Sequence, residues 1–163
     1  MKKTFFISVF SALIVGLTAC GGGDKTAETN ATPEASKTEA TTENGNPSYD
    51  PNRGEGKFTT VDVGTALDAA KADAGQKVVD VKCSSCHKLT NEKLVGPGWA
   101  GVTKRRTPVW IMNFITNTDA MIDKDPAAQA QLEICMVRMP NQSLSDEDAR
   151  NILEFMRKND GVQ

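Results

Sequence analysis

The sequence predicts an all-α domain of about four to five helices, and three observations carry that prediction. Thr107-Pro108 and Asp125-Pro126 each set a capping side chain immediately before a proline, which opens a helix. Ser145-Asp146-Glu147-Asp148 is a cap followed by a capping-box-like acid, and behind it Ala149, Ile152, Leu153, Phe155 and Met156 fall on one helical face. The third is Cys83-Ser84-Ser85-Cys86-His87, where two thiols three positions apart share one side of a helical turn with an imidazole beside them.

In that geometry each thiol can add across one vinyl group of a haem while His87 reaches its iron, the attachment signature of a single covalent haem c. A thiol–disulfide couple or half of a zinc site uses the same Cys-x-x-Cys spacing. His87 is, however, the only histidine among 163 residues, so its place directly after the pair is an improbable accident. Aromatic residues make up 6% of the chain, a thin supply for a core that a largely apolar porphyrin would complete. With 19 basic and 21 acidic side chains, the charge balance gives no reason to expect nucleic acid as a partner, and a monomeric single domain is expected.

Residues 1–19 read as an export signal. Lys2 and Lys3 precede an apolar run from Phe5, of about 15 residues against the roughly 20 a membrane span needs. Leu17-Thr18-Ala19-Cys20 is similar to a bacterial lipobox, in which cleavage leaves Cys20 to carry the lipid; several buried acyl chains anchor a protein stably. Residues 20–57 are then the lipidated cysteine and a disordered tether. From Gly21 to Lys57 large apolar residues are nearly absent, and flexible-coil statistics give this stretch a reach of about 30 to 37 Å.

The folded domain is expected over 58–163, beginning near Phe58 or Val61. A helix from Asp73 onward delivers Cys83 and Cys86, and Gly75 within it implies close approach of a second helix, since an unneeded helical glycine costs about 1 kcal/mol. After the polar loop 88–93, Gly96-Pro97-Gly98 forms a rigid loop suited to present the Pro97 carbonyl to the second ring nitrogen of His87, with Trp99 as wall. Lys104-Arg105-Arg106 is solvated surface, a partner for haem propionates or part of a docking patch. Helices follow from Pro108 to near Asn117, from Pro126 to about Cys135 or Val137, and from Ser145 to Gly161, the last packing across the first near Gly75. Cys135 is expected as a small buried hydrophobe.

With the one histidine used, the sixth iron ligand is expected to be a methionine, which favours the ferrous state. Met112, Met136 and Met156 sit in or beside apolar helical patterns, where a methionine is most often core filler. Met139 lies in a loop stiffened by Pro140 and ranks first, ahead of Met136 and Met121.

On Cys83-Ser84-Ser85-Cys86-His87, Gly96-Pro97, Met139-Pro140 and the closing Leu-Ser-Asp-Glu-Asp helix with Phe155, the chain resembles a class I monohaem cytochrome c over about 100 residues. Val79 stands where that family often has phenylalanine. The resemblance implies the cytochrome c fold wrapped around one covalent haem c, with Cys83 and Cys86 as attachment sites, His87 and Met139 axial, and Pro97 supporting His87. The segment Trp110 to Phe114 with Cys135 near Met139 is also similar to membrane-tethered cytochromes that accompany bacterial respiratory reductases.

The expected function is a membrane-anchored one-electron carrier, a lipoprotein on the periplasmic side of a bacterial envelope, and not an enzyme. Its donor would be a quinol-oxidising complex and its acceptor a terminal oxidase or an N-oxide reductase. A haem-based gas sensor or haem enzyme subunit needs a displaceable sixth ligand, and a thiol-redox module would use Cys83 and Cys86 without haem.

Overall fold

Ser145 Oγ accepts the Asp148 N–H at 3.0 Å and opens the helix that organises the fold. In a computed structural model that describes residues 48–163, this helix is the last of six: α1 (Ala69–Lys82), α2 (Val102–Arg105), α3 (Pro108–Thr116), α4 (Thr118–Lys124), α5 (Pro126–Cys135) and α6 (Asp146–Asn159), with no strand among the described residues. The expected signal 1–19, the lipid site Cys20 and the tether as far as residue 47 lie outside the described residues.

The apolar face of α6 is fully buried, with Leu153 at 0% and Ile152 at 1% exposure. Side chains of this kind contribute about 1.5–3 kcal/mol each when removed from water. Helix α6 packs across α1, and the crossing is set at Gly75, where an added Cβ would lie 2.1 Å from the Asn151 carbonyl oxygen. Val79 fills the position beside the crossing and is 3% exposed, so this branched side chain serves as core. Buried Glu154 joins Arg157 Nη1 at 2.8 Å and Arg150 Nη1 at 2.6 Å, while Arg157 also donates to the Val63 carbonyl at 2.6 Å, binding the segment before α1 to α6.

Both proline-started helices carry the caps read from the sequence. Thr107 Oγ1 accepts the Trp110 N–H at 3.1 Å and Asp125 Oδ1 the Ala128 N–H at 2.8 Å. Helix α3 is buried on more than one side through Trp110, Ile111, Met112, Asn113 and Ile115.

Three expectations are corrected. Helix α1 starts at Ala69, four residues before Asp73, because Asp68 caps it by accepting the Lys71 N–H at 3.0 Å. Helix α4 was not anticipated; it follows α3 after the single residue Asn117 and has no side-chain cap. Residues 49–57, read as the end of the tether, instead lie against α3, α4 and the start of α5. The Tyr49 hydroxyl donates to Asp125 at 2.5 Å, the Glu55 N–H to the Met121 sulfur at 2.9 Å, and Asn113 Nδ2 to the Arg53 carbonyl at 2.9 Å.

Candidate cofactor site

Helix α1 ends where the first cysteine begins. The Cys83 N–H closes the helix on the Val79 carbonyl at 2.9 Å, and the next turn is continued by Cys86 and His87 N–H groups on the Cys83 carbonyl at 3.0 and 2.9 Å. One turn of backbone therefore fixes both thiols and the imidazole. Burial pushes the Cys83 thiol up to about 11. A thiol-redox centre works through an accessible low-pKa thiolate, so this environment argues against that chemistry.

His87 Nδ1 lies 2.9 Å from the Pro97 carbonyl. Burial holds the imidazole below its ordinary pKa, with the Pro97 contact acting in the opposite direction. A neutral ring that donates Nδ1–H to Pro97 keeps the Nε2 lone pair for a metal. The ring is clamped on two further sides. Trp99 packs at a centroid distance of 5.3 Å, and a Cβ at Gly96 would fall 2.4 Å from His87 Cε1, so only glycine fits there. That need for glycine was not read from the sequence, although Gly96 sat beside the proline that was. The loop is pinned by the Gly96 N–H on the Cys86 carbonyl at 2.8 Å and the Trp99 N–H on the Lys88 carbonyl at 2.9 Å.

Cys86, His87, Pro97 and Met139 all line one cavity of about 280 Å³, walled by apolar side chains from Trp110 and Ile111 to Leu132. Cys83 is buried at its edge of the core and is not in the lining. Arginines 105, 106 and 138 line it too, and no carboxylate does. An apolar slot with a neutral imidazole, a thioether and cationic side chains suits a flat hydrophobic group that carries a metal and peripheral anions. Haem c fits that description. Zinc does not, because no group of three or more His, Cys, Asp or Glu side chains converges among the described residues.

Of the methionines ranked as sixth ligand, only Met139 reaches the cavity. Met136 is 84% exposed, and Met121 is fully buried with its sulfur accepting the Glu55 N–H. Met156, read as core filler, is core and also lines the cavity. Cys135 is only half-buried and forms part of the lining, contrary to its reading as a buried hydrophobe, because α5 ends there at the cavity rim. Arg106 lies over Trp110 at 4.7 Å, and Trp110 stacks on Phe114 at 5.1 Å, which together make one cavity wall.

The sequence profile of the cytochrome c family matches residues 72–160. The chain is 37% identical to a cytochrome c from Rhodothermus marinus, with a TM-score of 0.62 over 64% of this chain and 90% of that one. An engineered form of the same protein matches at 36% identity, TM-score 0.62, and its complex described as bound to a carbene intermediate at 36% and 0.59, each over 64% of this chain and 90% of the other. No curated protein matches the chain. The chain belongs to the cytochrome c family and carries covalently bound haem c.

Proposed function

We propose that the protein is a membrane-anchored one-electron carrier in which Cys83 and Cys86 form the thioethers and His87 and Met139 are the axial ligands. The observation that carries this reading is the shared cavity: His87, Pro97 and Met139 all face one apolar space. Bound haem c supplies the Fe(III)/Fe(II) couple. The chain's own part is to hold the axial groups still and keep water out. Pro97 fixes the imidazole through its carbonyl, Gly96 and Trp99 confine the ring, and Pro140 stiffens the loop bearing Met139.

With both axial positions filled by protein, substrate chemistry at the metal is blocked and electron exchange remains. The lipobox-like Leu17-Thr18-Ala19-Cys20 supports a lipid on Cys20 and a periplasmic, membrane-tethered location. A quinol-oxidising complex as donor and a terminal oxidase or N-oxide reductase as acceptor fit such a tethered carrier. The test is exposure of the reduced holoprotein to carbon monoxide at neutral pH. A carrier with both axial sites held shows no rapid binding; prompt binding contradicts the proposal and favours a sensor or enzyme.

A further inference from the structure

One wall of the haem cavity is held from behind by residues that do not line it. Trp110 belongs to that wall, with Phe114 stacked on its ring and Arg106 over it. Its remaining support comes from residues 49–54, which lie outside the stretch 72–160 matched by the cytochrome c profile and contribute nothing to the cavity lining.

Three contacts from this segment converge on Trp110. The Tyr49 hydroxyl donates at 2.5 Å to Asp125 Oδ2, the oxygen that also accepts the Trp110 indole N–H at 3.0 Å. Thr107, which caps α3 by accepting the Trp110 backbone N–H at 3.1 Å, donates its own hydroxyl to the Asn52 carbonyl. Gly54, at φ 71°, comes so close that an added Cβ would lie 3.2 Å from Trp110 Cδ1 and 2.6 Å from the Met121 sulfur.

Asp125 is the joint. It is 1% exposed, and each of its oxygens holds a residue of the lining: Oδ2 holds Trp110, and Oδ1 accepts the Ala128 N–H at 2.8 Å. A carboxylate buried to this degree keeps its place only while donors satisfy its oxygens. Of the three side-chain and backbone donors on it, Tyr49 alone comes from outside the wall.

We propose that Tyr49 is a positioning residue of the haem site: through Asp125 it holds Trp110 in the cavity wall, so that residues 49–54 govern how readily the cavity opens to water and small ligands. The proposal rests on the reading of Met139 as sixth ligand, because a small molecule reaches the ferric iron only when the thioether gives way. A loosened wall admits water, which favours the more highly charged ferric form and lowers the reduction potential. A carboxylate with one donor fewer acts in the same direction, since its negative charge is less offset.

Cyanide binding to the ferric holoprotein at neutral pH, followed by stopped flow, tests this together with the reduction potential. Cyanide exchanges for the Met139 thioether with no change in the oxidation state of the iron. Tyr49→Phe should speed cyanide binding at least about fivefold, as loss of a hydrogen bond to a charged group allows, and should lower the potential. Gly54→Ala, which pushes the segment off Trp110 by a different route, should do both as well. Asp68→Ala is the control: it removes the α1 cap at a similar cost in stability, leaves the cavity wall alone, and should move neither quantity. Unchanged binding and potential in Tyr49→Phe, a rise in its potential, or an equal acceleration in Asp68→Ala overturns the proposal and leaves Tyr49 a stabilising contact only. Prompt cyanide binding by the unmodified holoprotein overturns the closed carrier site itself, and the proposal with it.

Discussion

The Tyr49 hydroxyl and the Trp110 indole N–H both donate to one carboxylate oxygen, Asp125 Oδ2, at 2.5 and 3.0 Å. Asp125 is 1% exposed and its other oxygen caps α5, so this buried anion joins the segment before the domain to the wall of the haem cavity. The burial of a carboxylate is tolerated because three donors surround it.

Tyr49 should therefore ionise late. Burial, together with its hydrogen bond to Asp125, raises its pKa above the ordinary tyrosine value. The sign follows: the contact contributes its full stability below about pH 10, and that contribution is lost as pH rises through the folded-state pKa. Tyr49 is the chain's only tyrosine, so the tyrosinate absorption of the holoprotein reports it alone. Ionisation well above the free value is expected; a midpoint at the free value would show that the contact is absent in solution.

A chain beginning at Phe58 should be less stable than one beginning at Ser48. Without residues 48–57, fully buried Asn113 loses the Arg53 carbonyl, Asp125 loses Tyr49 and Met121 loses the Glu55 N–H. Leaving buried polar groups short of partners costs about 1–3 kcal/mol each. Denaturant midpoints of the two holoproteins measure the difference, and equal midpoints would make this segment a spacer.

Gly75→Ala should separate α1 from α6. The new Cβ would meet the Asn151 backbone, which cannot swing aside as a flexible side chain can. Overpacking of this kind costs about 1–3 kcal/mol, occasionally more, readable by equilibrium unfolding. A gain of about 0.4–1 kcal/mol, which the loss of backbone freedom in the unfolded chain alone would give, would mean that the crossing is looser than described.

Glu154→Ala should be among the most damaging changes outside the haem site. Glu154 is 0% exposed and its partner Arg157 6%, and the variant leaves that guanidinium buried beside a hole. Removing one member of a buried pair costs about 3–5 kcal/mol. Thermal unfolding of the holoprotein checks it, and a loss below about 1 kcal/mol would place the pair among weak surface bridges.

Features encoded by neighbouring residues were legible in the sequence. Thr107, Asp125 and Ser145 each cap the helix that their local pattern announced, and Gly75 lies at the helix crossing its position implied. The packing of residues 49–57 was not legible, because its partners Asn113, Met121 and Asp125 lie between 60 and 76 positions away. A glycine- and proline-rich composition there reads as tether until Asn113 supplies the missing donors and acceptors. Helix α4 was hidden for a related reason: with no capping side chain, it is held by burial of Met121 and Ile122. At the site, the Cys-x-x-Cys-His spacing and the Pro97 carbonyl could be read locally, whereas the exclusion of Met136 and Met121 needed the fold.

The most direct test of the account is the weak near-infrared sulfur-to-iron charge-transfer band of the ferric protein. It should be present in the unmodified holoprotein, absent in Met139→Ala, and retained in Met156→Leu, the change at the other methionine lining the cavity. A band that persists in Met139→Ala would contradict His87/Met139 ligation and the closed, electron-carrying site built on it.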